Sequence, residues 1–223
     1  MTCVATIRPF PPGLGWVPLI LAAGLLAGGC NSKPDRGAAA DIQSARAPAS
    51  SEPQGTAQDP PALVFIEFVA TPHDVVDRML KTAKVTKHDV VCDLGCGDGR
   101  ILIAAAKRYG CRAIGYDLDP IRVEEARENA KREGVSHLVT VEQKNVLSVD
   151  LEGASVVTLY MGTEINARLI PQLSRLGPGA RIVSHDFGIG NLPPDRTVTM
   201  TSREDRRPHR VYLWRCPISG KSE

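Results

Sequence analysis

Three glycines at alternate positions, Gly95, Gly97 and Gly99, follow the carboxylate of Asp93 and the apolar residues Val90, Val91 and Leu94. A short β-branched run of this kind reads as a buried parallel strand. Glycine removes the Cβ atoms from the turn that follows, so the backbone can enter the left-handed region and a ligand can lie against bare peptide. Helix-forming residues run from Arg100 to Arg108, with Gly110 as the stop. The start of that helix aims its N–H groups into the loop. Asp117 ends the next short strand, 113–116. It lies about twenty residues beyond the glycines, where an acidic side chain can accept both hydroxyls of a ribose. The chemistry expected is the binding of an adenosine-bearing cofactor.

Spacing selects among such cofactors. A dinucleotide fingerprint needs its third glycine where Arg100 stands. A carboxylate two residues before the first glycine repels a pyrophosphate but suits an ammonium group. Both features point to S-adenosyl-L-methionine. Through DLGCGDG (93–99) and IGYDLDP (114–120), the segment from Val64 to Cys216 resembles the class I, seven-β-strand S-adenosylmethionine-dependent methyltransferases. The resemblance implies that Gly95, Cys96 and Gly97 line the methionine end of the cofactor, with Gly99 completing the loop and Asp93 near the ammonium. It further implies that Asp117 binds the ribose and Leu118 packs on the adenine. Asn145 stands where many family members use Asp to accept from the adenine amino group, and a turn role is its alternative.

The remaining residues supply elements that could position these groups. Strand and helix signals alternate along the chain, as a parallel sheet with crossover helices requires. The expected fold is α/β, a Rossmann-like doubly wound, mostly parallel seven-stranded sheet with a C-terminal antiparallel hairpin. Thr71 is expected to cap a leading helix, with Pro72 first and Asp74 complementing its dipole. Further helices are expected over 120–133 and 164–176, and strands over 138–141, 155–160 and 181–185. A hairpin over 197–201 and 210–215 ends the domain. Glycines and prolines between Phe187 and Arg196 exclude a full helix there.

The acceptor side carries less signal, because in-line displacement at a sulfonium carbon needs alignment more than acid–base groups. Tyr160, at the end of the fourth strand, and His185, at the end of the fifth, are the candidate catalytic residues; an amine acceptor must still lose a proton. Ser184, His185 and Asp186 are consecutive, so alternate side chains face opposite sides of the strand and no hydrolase triad forms. Thr158 to Thr163 lacks the Asn/Asp-Pro-Pro-Tyr/Phe motif of base- and glutamine-directed enzymes. The entry Glu67 to Pro72, DLGCGDGR, and the strand Val156 to Met161 followed by Asn166, Leu169 and Pro171 are similar to bacterial relatives of seven-β-strand protein-lysine methyltransferases. That likeness makes a protein lysine the leading acceptor. Small-molecule or lipid N/O-methylation is the alternative, as is a membrane-tethered protein that binds an adenosyl ligand without turnover.

The whole chain has 223 residues and a net charge of +2. This suits one enzyme domain with an appendage and gives no electrostatic footprint for nucleic acid. Arg8 precedes an apolar stretch, Trp16 to Leu26, that leads into Ala27-Gly28-Gly29-Cys30, like the end of a secretion signal with a lipobox. The sequence is therefore divided into an export segment at 1–30, an Ala/Pro/Ser-rich disordered linker at 31–62, a methyltransferase domain at 63–218 and a tail at 219–223. The expected location is the bacterial cell envelope, with a lipid on Cys30, a cytoplasmic enzyme being the alternative. Of six cysteines, Cys92, Cys96, Cys111 and Cys216 are expected to be buried thiols, and no His/Cys pattern has metal-ligand spacing.

Overall fold

A computed structural model describes residues 68–218 of the chain. The expected export segment with Cys30, the linker and the tail lie outside the described residues. Five strands, β1 (Val90–Leu94), β2 (Arg112–Asp117), β3 (Val139–Gln143), β4 (Val156–Leu159) and β5 (Arg181–His185), form a parallel sheet. The hairpin of β6 (Arg196–Thr201) and β7 (Pro208–Arg215) closes one edge, β7 lying antiparallel to both β5 and β6. The order is β3-β2-β1-β4-β5-β7-β6. The chain reverses direction across the sheet between β1 and β4, and in open α/β sheets a ligand crevice forms at such a switch, beyond the carboxyl ends of the strands.

Alternation along each strand feeds two cores. Val91, Val156 and Val183 pack against α1 (His73–Thr82), α2 (Arg100–Tyr109) and α3 (Pro120–Arg132) on one face. Cys92, Val157 and Ile182 pack on the other, with α4 (Thr163–Arg168), α5 (Ile170–Leu173) and Trp214. Helix α2 begins and ends where the sequence places it. Gly99 and Gly110 flank it in left-handed conformation at φ 79° and 67°. The single helix expected over 164–176 is divided at Leu169, because Pro171 has no N–H to continue the hydrogen-bond ladder.

Thr71 does not cap α1; its hydroxyl is 3.0 Å from His185 Nδ1. The first turn closes instead on the Pro72 carbonyl, which accepts from the N–H groups of Val75 and Val76. Asp74 holds the hairpin turn to α1 by accepting from Ser202 Oγ at 2.8 Å and the Arg203 N–H at 2.7 Å.

The amino ends of β1, β4 and β5 are tied together by buried Asp89. Its carboxylate accepts from the Thr86 N–H (2.7 Å) and Ser155 Oγ (2.6 Å) and pairs with the Arg181 guanidinium. Burial pushes the Asp89 pKa up, but hydrogen bonds from Ser155 and Thr86 and the Arg181 charge outweigh it and hold the carboxyl below its ordinary value. Asp89→Asn is expected to lower stability by about 1–3 kcal/mol at neutral pH, read from urea unfolding. Because the folded-state pKa is depressed, the Asp89 contribution is complete above the unfolded carboxylate pKa of about 3.9 and lost as pH falls below it. The gap between variant and wild type should therefore close in acid.

Candidate active site

Beyond the carboxyl ends of β1 and β2 the backbone of the glycine loop is tied to the end of β2 by three hydrogen bonds. The Gly95 and Cys96 N–H groups both donate to the Tyr116 carbonyl, at 2.8 and 3.0 Å. The Gly97 N–H donates to Asp117 Oδ2 at 2.8 Å, and Asp117 Oδ1 accepts from the Asp119 N–H at 3.0 Å. Asp119, in turn, caps α3 through the Ile121 N–H. Asp117 is thus held on the loop, and the capping role before Pro120 belongs to Asp119. Gly95, Gly97 and Gly99 all have positive φ, as the sequence requires of them. A Cβ on Gly97 would lie 2.2 Å from the Phe68 ring, which covers the loop from the chain entry.

Asp93, Gly95, Cys96, Asp117, Leu118, Asn145 and Tyr160 all line one cleft. The cleft is partly open to solvent. Of the expected cofactor residues, Gly97 and Gly99 are not among the lining groups: one is covered by Phe68 and the other faces Ala126. Phe68, Arg100 and Met161 line the cleft although no sequence signal assigns them that role. Asn145 takes the turn role, its Oδ1 accepting from the Leu147 N–H at 3.0 Å to start the 3-10 turn Val146–Ser148, and it also borders the cleft.

The cleft is electrostatically incomplete. Arg100 is committed to Asp98, with Nε 2.9 Å from Oδ1 and a second nitrogen 2.6 Å from Oδ2, and it also donates to the Thr71 carbonyl at 2.8 Å. Arg122 pairs with Glu125 and lies over the Phe68 ring. Among the described residues neither Asp93 nor Asp117 has a cation within ion-pair distance. Burial raises the Asp93 carboxyl to about 7, against a 2.5 Å hydrogen bond from Thr158, and the Asp117 and Asp98 charges push the same way. A buried carboxylate in this state gains from a positively charged ligand group.

At the other end of the cleft, Tyr160 stacks on His185 with ring centroids 4.0 Å apart. His185 itself is 0% exposed and does not reach the cleft surface. Its Nδ1 faces Thr71 Oγ1, and its Nε2 is 2.8 Å from His209 Nδ1. The expectation that His185 takes a proton directly from the acceptor is thereby corrected, because both ring nitrogens are engaged behind the wall formed by Tyr160 and Thr71. Burial lowers the His185 imidazole to about 4, the Asp186 charge opposing and the His209 charge assisting. Burial also opposes charge on His209, but hydrogen bonds to Asp205 and Asp186, together with their charges, raise its pKa. Ser184 turns the other way, its hydroxyl lying between Asn166 and the Leu159 carbonyl, so no hydrolase triad forms.

Comparison with known proteins agrees with this arrangement. Residues 93–196 match the family described as the ANTKMT methyltransferase domain. A protein-lysine N-methyltransferase of Saccharolobus islandicus (strain REY15A) is 40% identical over 151 residues, 67% of this chain and 92% of that protein. A lysine N-methyltransferase of Xenopus laevis, named for a component of the ATP synthase, is 33% identical over 138 residues, 60% of each chain. Among solved structures, an RNA methyltransferase from Salinibacter ruber in complex with S-adenosyl-L-homocysteine is 46% identical. It aligns with a TM-score of 0.63, covering 67% of this chain and 94% of that one.

The loop also depends on Gly115, in the middle of β2. A Cβ there would lie 2.4 Å from Leu102 Cδ1 and 2.8 Å from Cys96 Sγ. Gly115→Ala is expected to destabilise the fold by about 1–3 kcal/mol through overpacking. Because Cys96 is among the atoms displaced, S-adenosylhomocysteine affinity should fall in the same variant, as checked by calorimetric titration.

Proposed function

This chain belongs to the class I S-adenosylmethionine-dependent methyltransferases, and from that premise we propose that it methylates lysine side chains of a protein acceptor in the cleft at the ends of β1, β2 and β4. The observation that carries the acceptor is the 40% identity across 92% of a relative named a protein-lysine N-methyltransferase. The Salinibacter ruber relative, described as an RNA methyltransferase, makes RNA the second acceptor class to be separated. The chain's net charge of +2 favours the protein reading.

The lining residues suit the cofactor. Asp93 and Asp117 are carboxylates without cationic partners, as an ammonium and a ribose diol require, and in this reading they take those groups respectively. The Gly95 and Cys96 backbone borders the methionine portion, while Leu118 and Asn145 border the adenine. The bound cofactor supplies an electrophilic methyl on a sulfonium. The protein supplies alignment and a dry wall, with Tyr160 on the acceptor side, where a lysine must arrive without its extra proton. His185 is a positioning residue in this reading, holding the Tyr160 ring from behind.

Asp93 must be ionised to hold an ammonium, and its carboxyl titrates near 7 in the free protein. Affinity for S-adenosylhomocysteine is therefore expected to be highest above that pH. Below it, affinity should weaken by up to about tenfold per pH unit, while Asp93→Asn binds weakly with a flat profile. A flat wild-type profile would contradict this role for Asp93.

The acceptor is tested by incubating the protein with methyl-labelled S-adenosylmethionine and fractionated bacterial cytosol, RNA and envelope, beside Asp117→Ala. The envelope is included because Cys30 is proposed to carry lipid. Label on a protein band that yields methyl-lysine on hydrolysis, and is absent with Asp117→Ala, is expected. Label confined to RNA or to solvent-extractable material would overturn the lysine reading.

A further inference from the structure

Behind the acceptor wall, the end of β5 and the start of β7 bring together two imidazoles and a carboxylate that take no direct part in the proposed transfer. His185 Nε2, His209 Nδ1 and Asp186 Oδ2 form a triangle with edges of 2.8, 3.1 and 3.3 Å. Zinc binds imidazole nitrogen and carboxylate oxygen at about 2.0–2.2 Å, which sets neighbouring donors of a tetrahedral site about 3.3 Å apart. An ion at that range from all three atoms would stand about 1 Å out of their plane. We propose that His185, Asp186 and His209 bind one divalent transition-metal ion of the zinc class.

Each donor is held by a second partner, the pattern that orients ligands in metal sites. His209 Nε2 lies 3.0 Å from an Asp205 carboxylate oxygen, which fixes its proton there and leaves Nδ1 to bind. His185 Nδ1 lies 3.0 Å from the Thr71 hydroxyl, leaving Nε2 to bind. Asp186 Oδ1 accepts from the Arg210 N–H at 2.6 Å, which directs Oδ2 toward the imidazoles. Asp186 also sits at φ 57°, a left-handed conformation that costs a non-glycine residue energy and marks places where the chain is bent to present a side chain. Two imidazole nitrogens among three donors favour zinc, cobalt or nickel over magnesium or calcium. The Asp186 side chain, 28% exposed beside two buried histidines, gives an ion a route in.

The cluster is not legible in linear spacing, because His209 reaches His185 only through the antiparallel pairing of β5 with β7. Its position gives the ion a consequence for the cleft. Tyr160 stacks directly on His185, so a metal at this site would immobilise the ring that backs the acceptor wall.

The test uses the full chain, stripped with a chelator and titrated with Co²⁺ and then Zn²⁺. One equivalent of Co²⁺ with tetrahedral ligand-field bands is expected, displaced by Zn²⁺. The bands should be lost in His209→Gln, with far-ultraviolet dichroism and S-adenosylhomocysteine binding unchanged. Asp205→Asn leaves all three donors in place and should weaken zinc about 10- to 100-fold. Should His209→Gln fail to fold, Asp186→Asn carries the comparison. Absence of stoichiometric Co²⁺ or Zn²⁺ uptake by the wild type, or uptake that these donor variants leave unchanged, overturns the proposal and leaves the cluster as a hydrogen-bonded histidine pair.

Discussion

The three hydrogen bonds that fasten the glycine loop to the tip of β2 are the constraint on which the rest of this molecule depends. Gly95, Cys96 and Gly97 direct their N–H groups at the Tyr116 carbonyl and the Asp117 carboxylate. The end of β1 and the end of β2 therefore cannot move separately. That junction brings Asp93 and Asp117 to one cleft and fixes where α2 begins. Positive φ at the three loop glycines and the missing side chain at Gly115 are what allow the backbone to approach so closely. An alanine at either kind of position meets backbone strain or packed atoms.

The cleft divides into two ends with different physics. The end proposed for the cofactor is built from backbone and short acidic side chains, and it is rich in negative charge because Arg100 is already occupied by Asp98. The end proposed for the acceptor is aromatic. Tyr160 stacks with both Phe187 and His185, and burial lowers the pKa of that imidazole. The proposed transfer uses this asymmetry: carboxylates would hold the cationic cofactor, and an uncharged nucleophile would meet a wall of low polarity.

The parts of this arrangement legible in the sequence are those set by local chemistry. A strand followed by alternate glycines, a helix ending at Gly110, and a carboxylate at the tip of the next strand each require only neighbouring residues. They place Asp93, Gly95, Cys96, Asp117, Leu118 and Asn145 at the cleft. What the sequence conceals is set by contacts between distant segments. Thr71 reads as a helix cap, but His185, far along the chain, takes its hydroxyl. His185 reads as a strand-end residue facing the acceptor, but the hairpin brings His209 against it and closes it off. Phe68 carries no motif, and its role over Gly97 emerges only when the chain entry folds across the loop. The split between α4 and α5 is a milder case, in which the Pro171 signal is present but outweighed by the apolar periodicity around it.

The carboxylate that links the glycine loop to β2, Asp117, is proposed to hold the cofactor as well. Calorimetric titration of S-adenosylhomocysteine into the wild type and Asp117→Ala, with circular dichroism to verify folding, addresses it most directly. Stoichiometric binding by the wild type and loss of binding by a folded Asp117→Ala is the result predicted. Equal affinity in the two proteins would contradict it, and would move the cofactor away from the β1–β2 junction.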